Sequence, residues 1–440
     1  MAFPFRSLVI RTCLALSAAA LLGGSAIASD AELKQDRART PDSSIDEVRL
    51  GRDVAPGPEV APGLPGLGGI SLYEGDRIAS RGGYAPDMHT KQGASSAENP
   101  REARRLGATF LKTIQKKDGG WGAGTWGNAD DGAPADVATS AMAILALHRD
   151  ADGTDIHADA IAKGVRYVLK AIDESPRDSA LVNTPESTQP QYKLGKLVDT
   201  HMAAMMLTEL AGTLDDETNR GMDKGLGQVI AKVQIAQRAD GSFDGDGWAP
   251  VLSNSIAATS LMRAREQGVD VSDEVLDKSE KYQAAQVSED GSFDTSTGAG
   301  VELYSVASTL RTNSLAKKRK DSDNAPAATR ATEASVGRVA ADADGRLMAG
   351  FGSVGGEEML GYMMISDTLA EEDTKAFAKW DGKVGDYLVG IQNADGSWVG
   401  HHCITSTTFT TAAAVMTLGS GDWAKRQAAR VTGGKDESKG

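Results

Sequence analysis

A short run, Gln392-Asn-Ala-Asp395-Gly396-Ser397-Trp398, separates two different helical patterns and recurs along the chain. Ahead of it, Val384, Tyr387, Leu388 and Ile391 fall at i, i+3, i+4 and i+7, the spacing of one apolar stripe on a helix. Asp-Gly ends that helix, because glycine accepts the positive φ that such a stop needs. Beyond it, Thr407-Thr-Phe409-Thr-Thr-Ala-Ala-Ala-Val415-Met416-Thr-Leu418 is built from small and β-branched residues suited to a tightly packed second helix. A chain that repeats such a unit is an array of stacked helical hairpins.

The first copy has Leu106, Phe110 and Ile114, then Gln115-Lys-Lys-Asp118-Gly-Gly-Trp121, then Asp136 to Leu147. Another has Leu226, Val229, Ile230 and Val233, then Gln237-Arg-Ala-Asp240-Gly-Ser-Phe243, then Asn254 to Met262. The next carries Asp290-Gly-Ser-Phe293 and Glu302 to Leu310, with its glutamine, Gln286, one residue out of step. Two degenerate copies pair Ile161, Val165, Val168 and Ile172 with Asp199 to Leu207, and Ala340 to Gly345 with Glu357 to Ile365. That makes about six helix pairs of roughly 40–60 residues each.

Four Asp-Gly-[Gly/Ser]-aromatic turns, three of them preceded by Gln-x-x, resemble the repeat shared by squalene/oxidosqualene cyclases and protein prenyltransferase β subunits. The resemblance covers about Asn99 to Asp422 and implies an all-α fold, an α6/α6 toroid: a double ring of helical hairpins around a funnel. The closing Asp-Gly-Ser-Trp…His-His-Cys-Ile-Thr block, with Gly355-Gly-Glu-Glu-Met-Leu-Gly-Tyr, is similar to secreted bacterial members of that superfamily. Inner helices are expected to be the most buried, at Leu145, Leu207, Ile256, Val306, Ile365 and Val415. The resemblance also implies that Trp121, Phe243, Phe293 and Trp398 pack between adjacent outer helices.

Residues 1–28 read as a signal peptide: Arg6 and Arg11 precede the apolar run Leu14 to Leu22, and Ala26-Ile-Ala28 fits a cleavage site. Export, periplasmic or extracellular, is the expectation. Residues 29–98 are polar and then Pro/Gly-rich, without apolar periodicity, and are expected to form a disordered arm. The toroid is assigned 99–422, with a loop insertion at about 316–333 that holds Lys317-Lys-Arg-Lys320, and 423–440 is assigned to a flexible tail. Removing two arginines takes the net charge from −14 to about −16. Such acidity repels nucleic-acid phosphate and anionic lipid, and no apolar stretch reaches the length of a membrane span. With Cys13 in the leader, Cys403 is the single cysteine of the mature chain, so the fold relies on its core rather than a disulfide.

In the implied toroid, inner-helix N-termini share one mouth, which gathers Asp136, Asp199, His201, Asn254, Glu302, Glu357, Glu358, His401, His402 and Cys403. Helix capping is one reading of such residues, since Asp and Asn are favoured N-caps and carboxylates suit the dipole. The resemblance supplies others. The cyclase acid motif Asp-x-Asp-Asp is not met, because Ala138 and Thr139 follow Asp136 where its second and third acids belong, and Asn128 to Asp131 lies ahead of the helix. Aromatic residues, only 5% of the chain, give no wall for a carbocation.

Lys196-Leu-Val-Asp199-Thr-His201 resembles the zinc-binding context of prenyltransferases, with His in the Cys place. Asp199, His201, His401, His402 and Cys403 are therefore candidate zinc ligands. Glu302, Glu357 and Glu358 could serve as acid and base on a sugar, with Trp126, Trp248, Tyr304 and Tyr362 as nearby aromatics. The reading favoured is a non-cyclase binding or scaffold module with a polar funnel mouth, taking a protein or an apolar small molecule. The alternative is a zinc-dependent, transferase-like enzyme or a carbohydrate-active one. No catalytic residue is assigned.

Overall fold

The chain alternates two kinds of helix, and the difference between them sets the architecture. A computed structural model describes residues 95–125, 132–243, 245–372 and 374–437. The leader, residues 29–94 of the arm, Trp126 and the Asn128–Asp131 run lie outside the described residues. Among the described residues there are thirteen α-helices and no strand. The first pair is α1 (Pro100–Thr113) and α2 (Val137–Ala151). The second is α3 (Ala158–Asp173) and α5 (Val198–Leu210), with a short α4 (Gln189–Leu194) between them. Then come α6 (Asp216–Ala236) with α7 (Pro250–Glu266), and α8 (Asp273–Ala284) with α9 (Glu302–Ala316). The last two pairs are α10 (Ala325–Ala340) with α11 (Gly356–Glu372), and α12 (Thr374–Ile391) with α13 (Thr407–Glu437).

The first helix of each pair is amphipathic. In α3, Ile161, Val165, Val168 and Ile172 are buried while Lys163, Arg166 and Lys170 face water, as a 3.6-residue stripe requires. The second helix is buried on all sides, and Val137 to Leu147 shows no exposed residue. The six residues expected at the centre, Leu145, Leu207, Ile256, Val306, Ile365 and Val415, are fully buried. The inner helices touch in the order α2, α5, α7, α9, α11, α13, and α13 returns to α2. Outer helices lean on them from outside, and α1 packs against both α13 and α12. The first and last pairs are therefore in contact.

The Gln-x-x-Asp-Gly-aromatic turn explains that packing residue by residue. The aspartate accepts from the backbone N–H two residues on: Asp118 from Gly120, Asp240 from Ser242, Asp290 from Ser292 and Asp395 from Ser397, each at 3.0 Å. At the glycine, φ is +93° for Gly119 and +88° for Gly396. A Cβ there would sit 2.5 Å from Lys163 O or 2.6 Å from Leu106 O, both on the neighbouring outer helix. The glutamine reaches that same neighbour. Gln115 Nε2 donates to Ala160 O at 2.9 Å, Gln237 Nε2 to Val275 O at 2.7 Å, and Gln392 Nε2 to Ala103 O at 2.8 Å. The last of these closes the cycle from the sixth pair to the first.

The aromatic ring fills the space between. Trp121 Nε1 donates to Leu111 O at 2.8 Å and Trp398 Nε1 to Leu388 O at 2.9 Å, each on its own outer helix. Their rings approach Gly164 and Gly107 of the next outer helix. The fourth copy departs from this: Gly291 faces open space, Gln286 turns to Thr297, and Phe293 is half-buried.

At the C-terminal ends of the inner helices, away from the turns, a charged network that the sequence reading did not foresee joins them. Arg149 of α2 forms paired bonds with Glu209 of α5 (2.9 and 2.9 Å) and Asp367 of α11 (2.6 and 3.0 Å). Asp367 also accepts from Ser420 of α13 at 2.7 Å and from Arg311 of α9 at 3.4 Å. Arg263 of α7 and Arg149 both lie over the Trp423 ring. With the arginines beside it, the buried Asp367 carboxyl is held below its usual range.

Two boundaries move. The insertion expected at 316–333 is largely helix, because Pro326 sits in the first turn of α10 and the small residues Ala328, Ala331, Thr332 and Ser335 pack inward. Its cationic run is not a free solvated loop: Lys317 and Lys318 bond Glu372 at 2.7 and 2.5 Å, and Arg319 bonds Glu280 at 2.7 Å. The tail expected from 423 continues α13 as far as Glu437, in line with the helix-forming Ala and Arg residues there. Among the described residues, no helix is long and apolar enough to cross a membrane.

Candidate functional site

The residues of the inner-helix starts are for the most part claimed by the fold. Asp136 is the N-cap of α2: its Oδ1 accepts from Thr139 N at 2.7 Å and its Oδ2 from Ala123 N at 2.8 Å. Asp199 spans two helices, accepting from Ala138 N and Gln191 Nε2, each at 2.8 Å. Burial and the nearby Asp199 push the Asp136 carboxyl up to about 7, and burial raises Asp199 as well.

Asn254 does not cap α7. It lies one turn into the helix, where its Oδ1 accepts from Phe243 N at 2.5 Å, as Ser140 Oγ does from Trp121 N at 2.8 Å and Thr411 Oγ1 from Trp398 N at 2.9 Å. Glu302 leaves the mouth altogether. Its carboxylate pairs with both Arg338 nitrogens of α10 at 2.8 and 2.7 Å, on a groove of about 490 Å³ beside Phe293. A first-turn residue points wherever its helix face does, and position 302 faces the outer layer.

The five candidate zinc ligands are not brought into one site. His201 is fully buried, with Nδ1 2.7 Å from Ser253 Oγ and its ring edge-on to Phe243, and burial lowers its pKa to about 3. Asp199 faces Gln191 and the start of α2. His402 lies on the other group, with Nε2 2.8 Å from Ser353 O and 3.3 Å from Glu358 Oε2. His401 is exposed, anchored through its backbone N–H to Val354 O at 2.8 Å. Among the described residues, no three His, Cys, Asp or Glu side chains gather so as to hold a metal ion. The donors do not fit zinc as a set, because His201 and Asp199 of the second pair and the histidines of the sixth are not gathered around one point.

A second cluster does form, around Glu357, Glu358 and the 399–406 loop. The loop and the segment before α11 are joined by Gly356 N to Ile404 O at 2.9 Å and by the His401 bond. Gly355 lies too close to His402 for a side chain. Glu358, fully buried, accepts from Tyr304 Oη, from Phe351 N at 3.0 Å and from Gly355 N at 2.9 Å. Glu357 accepts from Ile404 N at 3.2 Å through Oε2, while its buried Oε1 has no hydrogen-bond partner. Burial and Glu358 push the Glu357 carboxyl up to about 7. Cys403 is held at φ +55°, a left-handed conformation uncommon for a residue with a side chain. Burial and Glu357 push its thiol up to about 12, so it is not an activated nucleophile.

The feature that sequence reading missed is the connection between α3 and α5. The repeat reading pairs the two helices as one degenerate copy and gives the connection no structure; it is a strap laid over the inner-helix starts. Gln189 N donates to Gly124 O of the first pair at 2.9 Å, and Gln189 Oε1 accepts from Thr405 N of the sixth at 2.7 Å. At its other end, Ala249 N of the third pair donates to Lys193 O at 2.8 Å. The Lys193 ammonium lies 4.8 Å from the Trp248 ring centre and 5.5 Å from that of Tyr192. Those two rings are 51% and 55% exposed, and Phe351, tilted against the His402 ring, is 41% exposed. The signal available was the length of this connection and its capping box, Thr188 with Gln191, which starts a short helix within it. No protein-family model and no curated protein matches the chain.

Proposed function

We propose that the chain is an exported, non-catalytic binding module of α6/α6 toroid form, in the squalene cyclase/prenyltransferase repeat superfamily, whose ligand face is the strapped mouth. The cyclic order of inner helices and the Gln-x-x-Asp-Gly-aromatic turns support the superfamily reading. The leader-like start, with Arg6, Arg11 and Ala26-Ile-Ala28, supports export.

One observation carries the functional reading: the strap is bonded to the first, third and sixth pairs, while Tyr192 on the strap, Trp248 before α7 and Phe351 against His402 stand half-exposed. Large aromatic side chains left open together mark a binding surface. Three of the groups that hydrolysis or transfer would use are otherwise engaged. Glu302 is paired with Arg338, Glu358 accepts three bonds, and the thiol of Cys403 is protonated at neutral pH. Those engagements weigh against the transferase-like and carbohydrate-active alternatives.

The test compares purified protein with a Trp248→Ser/Phe351→Ser double variant, both immobilised and exposed to the medium and envelope fractions of the producing cells. A ligand retained by the first and lost by the second, with unchanged melting, is the expected result. Zinc is to be measured on the same preparation. Stoichiometric zinc removed by His201→Ala would overturn the binding-module reading in favour of the transferase-like one.

A further inference from the structure

A groove of about 720 Å³ runs between the first Asp-Gly turn and the next outer helix. Lys117, Asp118 and Gly119 of the turn form one wall and the α3 face from Lys163 to Glu174 the other. Lys163, Arg166 and Lys170 fall at i, i+3 and i+7, so they share one side of α3 over about 10 Å of helix. Lys170 lies 3.7 Å from Glu174. Lys117, Lys163 and Arg166 have neither a hydrogen bond nor a carboxylate partner among the described residues. The Lys317 to Arg319 run, by contrast, is matched by Glu372 and Glu280.

The fold does not require this charge. The same place recurs wherever a turn glycine meets a carbonyl of the next outer helix: Gly119 at Lys163, Gly241 at Lys278 and Gly396 at Leu106. Three and seven residues beyond that contact stand Arg166 and Lys170 on α3. On α1 the equivalents are Thr109 and Thr113, whose hydroxyls bond back into their own helix. On α8 they are Lys281 and Ala285, and Lys278 itself is bonded to Glu274 at 2.7 Å. Four residues beyond the contact an aromatic ring is kept in all three, as Tyr167, Phe110 and Tyr282. The ring belongs to the packing of the repeat; the run of cations does not.

Two carboxylates share the lining. Asp118 accepts from Gly120 N at 3.0 Å and Glu174 from Asn183 Nδ2 at 3.2 Å, and each keeps further acceptor sites. A ligand matched to these walls offers acidic groups to the cations and hydrogen-bond donors to the carboxylates. A bare polyanion offers only the first, and Asp118, Glu174 and the chain's net charge of −14 oppose it. A sugar acid offers both, in its carboxylates and its hydroxyls.

We propose that this groove binds a short stretch of an acidic sugar chain, its carboxylates on Lys117, Lys163 and Arg166 and its hydroxyls on Asp118 and Glu174. The volume is that of a small-ligand cleft. A cationic face about 10 Å long engages several acidic groups of one ligand together, which a single carboxylate or phosphate does not. This site lies on the exposed face of an outer helix and is separate from the strapped mouth, so either can fail without the other.

The probe is a linear tetramer of galacturonic acid, with maltotetraose as the neutral sugar and linear polyphosphate as the anion without sugar hydroxyls. Calorimetric titration at low ionic strength is expected to show saturable binding of the uronate tetramer, none of maltotetraose and weaker binding of polyphosphate. Added salt should weaken the uronate complex. Lys117→Gln/Lys163→Gln/Arg166→Gln should weaken it at least about tenfold. Melting should not change, because all three side chains are exposed. Trp248→Ser/Phe351→Ser should leave uronate binding as it is.

A second measurement needs no variant. Acylation of Lys117 and Lys163 by an amine-directed reagent, followed by peptide mass, should slow at least about threefold with the uronate tetramer and not with maltotetraose. Absence of uronate binding, binding that survives the triple variant, or unchanged acylation would overturn the assignment of the groove. Loss of uronate binding in Trp248→Ser/Phe351→Ser would place that ligand at the mouth instead. Polyphosphate binding more tightly than the uronate would overturn the acidic-sugar assignment in favour of plain charge attraction.

Discussion

Glu357 shows how one buried side chain ties the mouth to pH. Its carboxyl is pushed up to about 7, from 4.5, first by burial and then by Glu358. The folded chain thus holds a proton that the unfolded chain releases near 4.5. Stability from this group is fully present below that value and is lost as pH rises through about 7. Glu357→Gln removes the titration while keeping an acceptor for Ile404 N. Calorimetry should therefore show that the unaltered protein loses more melting temperature between pH 5.5 and 8.5 than the variant does. The difference should be about 2–4 °C for each kcal/mol involved. Equal pH dependence in the two proteins would mean that Glu357 is solvated in the folded state. The sequence singled out Glu357 and Glu358 as mouth residues and as a possible acid and base, but not their burial, which depends on loop residues 399–406 and on Tyr304.

Among the elements, the turn was the most legible, because its parts lie within seven residues of one another. Aspartate, glycine and aromatic each have one local task, and the glutamine bonds the next outer helix in each copy where it is in step. Gln286, out of step in the sequence, marks the copy whose glycine faces open space and whose ring is only half-buried. That contrast yields a paired prediction. Trp398→Ala empties a fully buried site at the seam between the last pair and the first, and should destabilise by about 3–5 kcal/mol. Phe293→Ala, at a half-buried site, should cost about 1–2 kcal/mol. Denaturant melts of the two variants check the order, and a larger loss at Phe293 would reverse this account of the turns. The strap was not legible at this scale. Nothing local to Gln189 or Lys193 announces partners at Thr405 and Ala249.

For the whole molecule, closure is what the sequence could only imply. The repeat number suggested a ring, but the contacts that join its ends are separated by most of the chain, as Gln392 to Ala103 and Arg149 to Asp367 are. Charged residues near the ends of small-residue helices, Arg149, Glu209, Arg311 and Asp367, were the visible trace of the network, though their pairing was not. The proposed binding face depends on this closure, because the strap crosses from the third pair to the sixth only in a ring. Native-state hydrogen exchange followed by mass spectrometry tests it most directly. A closed ring predicts that amides of α2 and α13 are protected to the same degree as those of α7 and α9, with the strap peptide 184–196 protected above exposed loops. Early exchange of the first and last pairs, with the strap exchanging at the rate of an unprotected loop, would contradict the account.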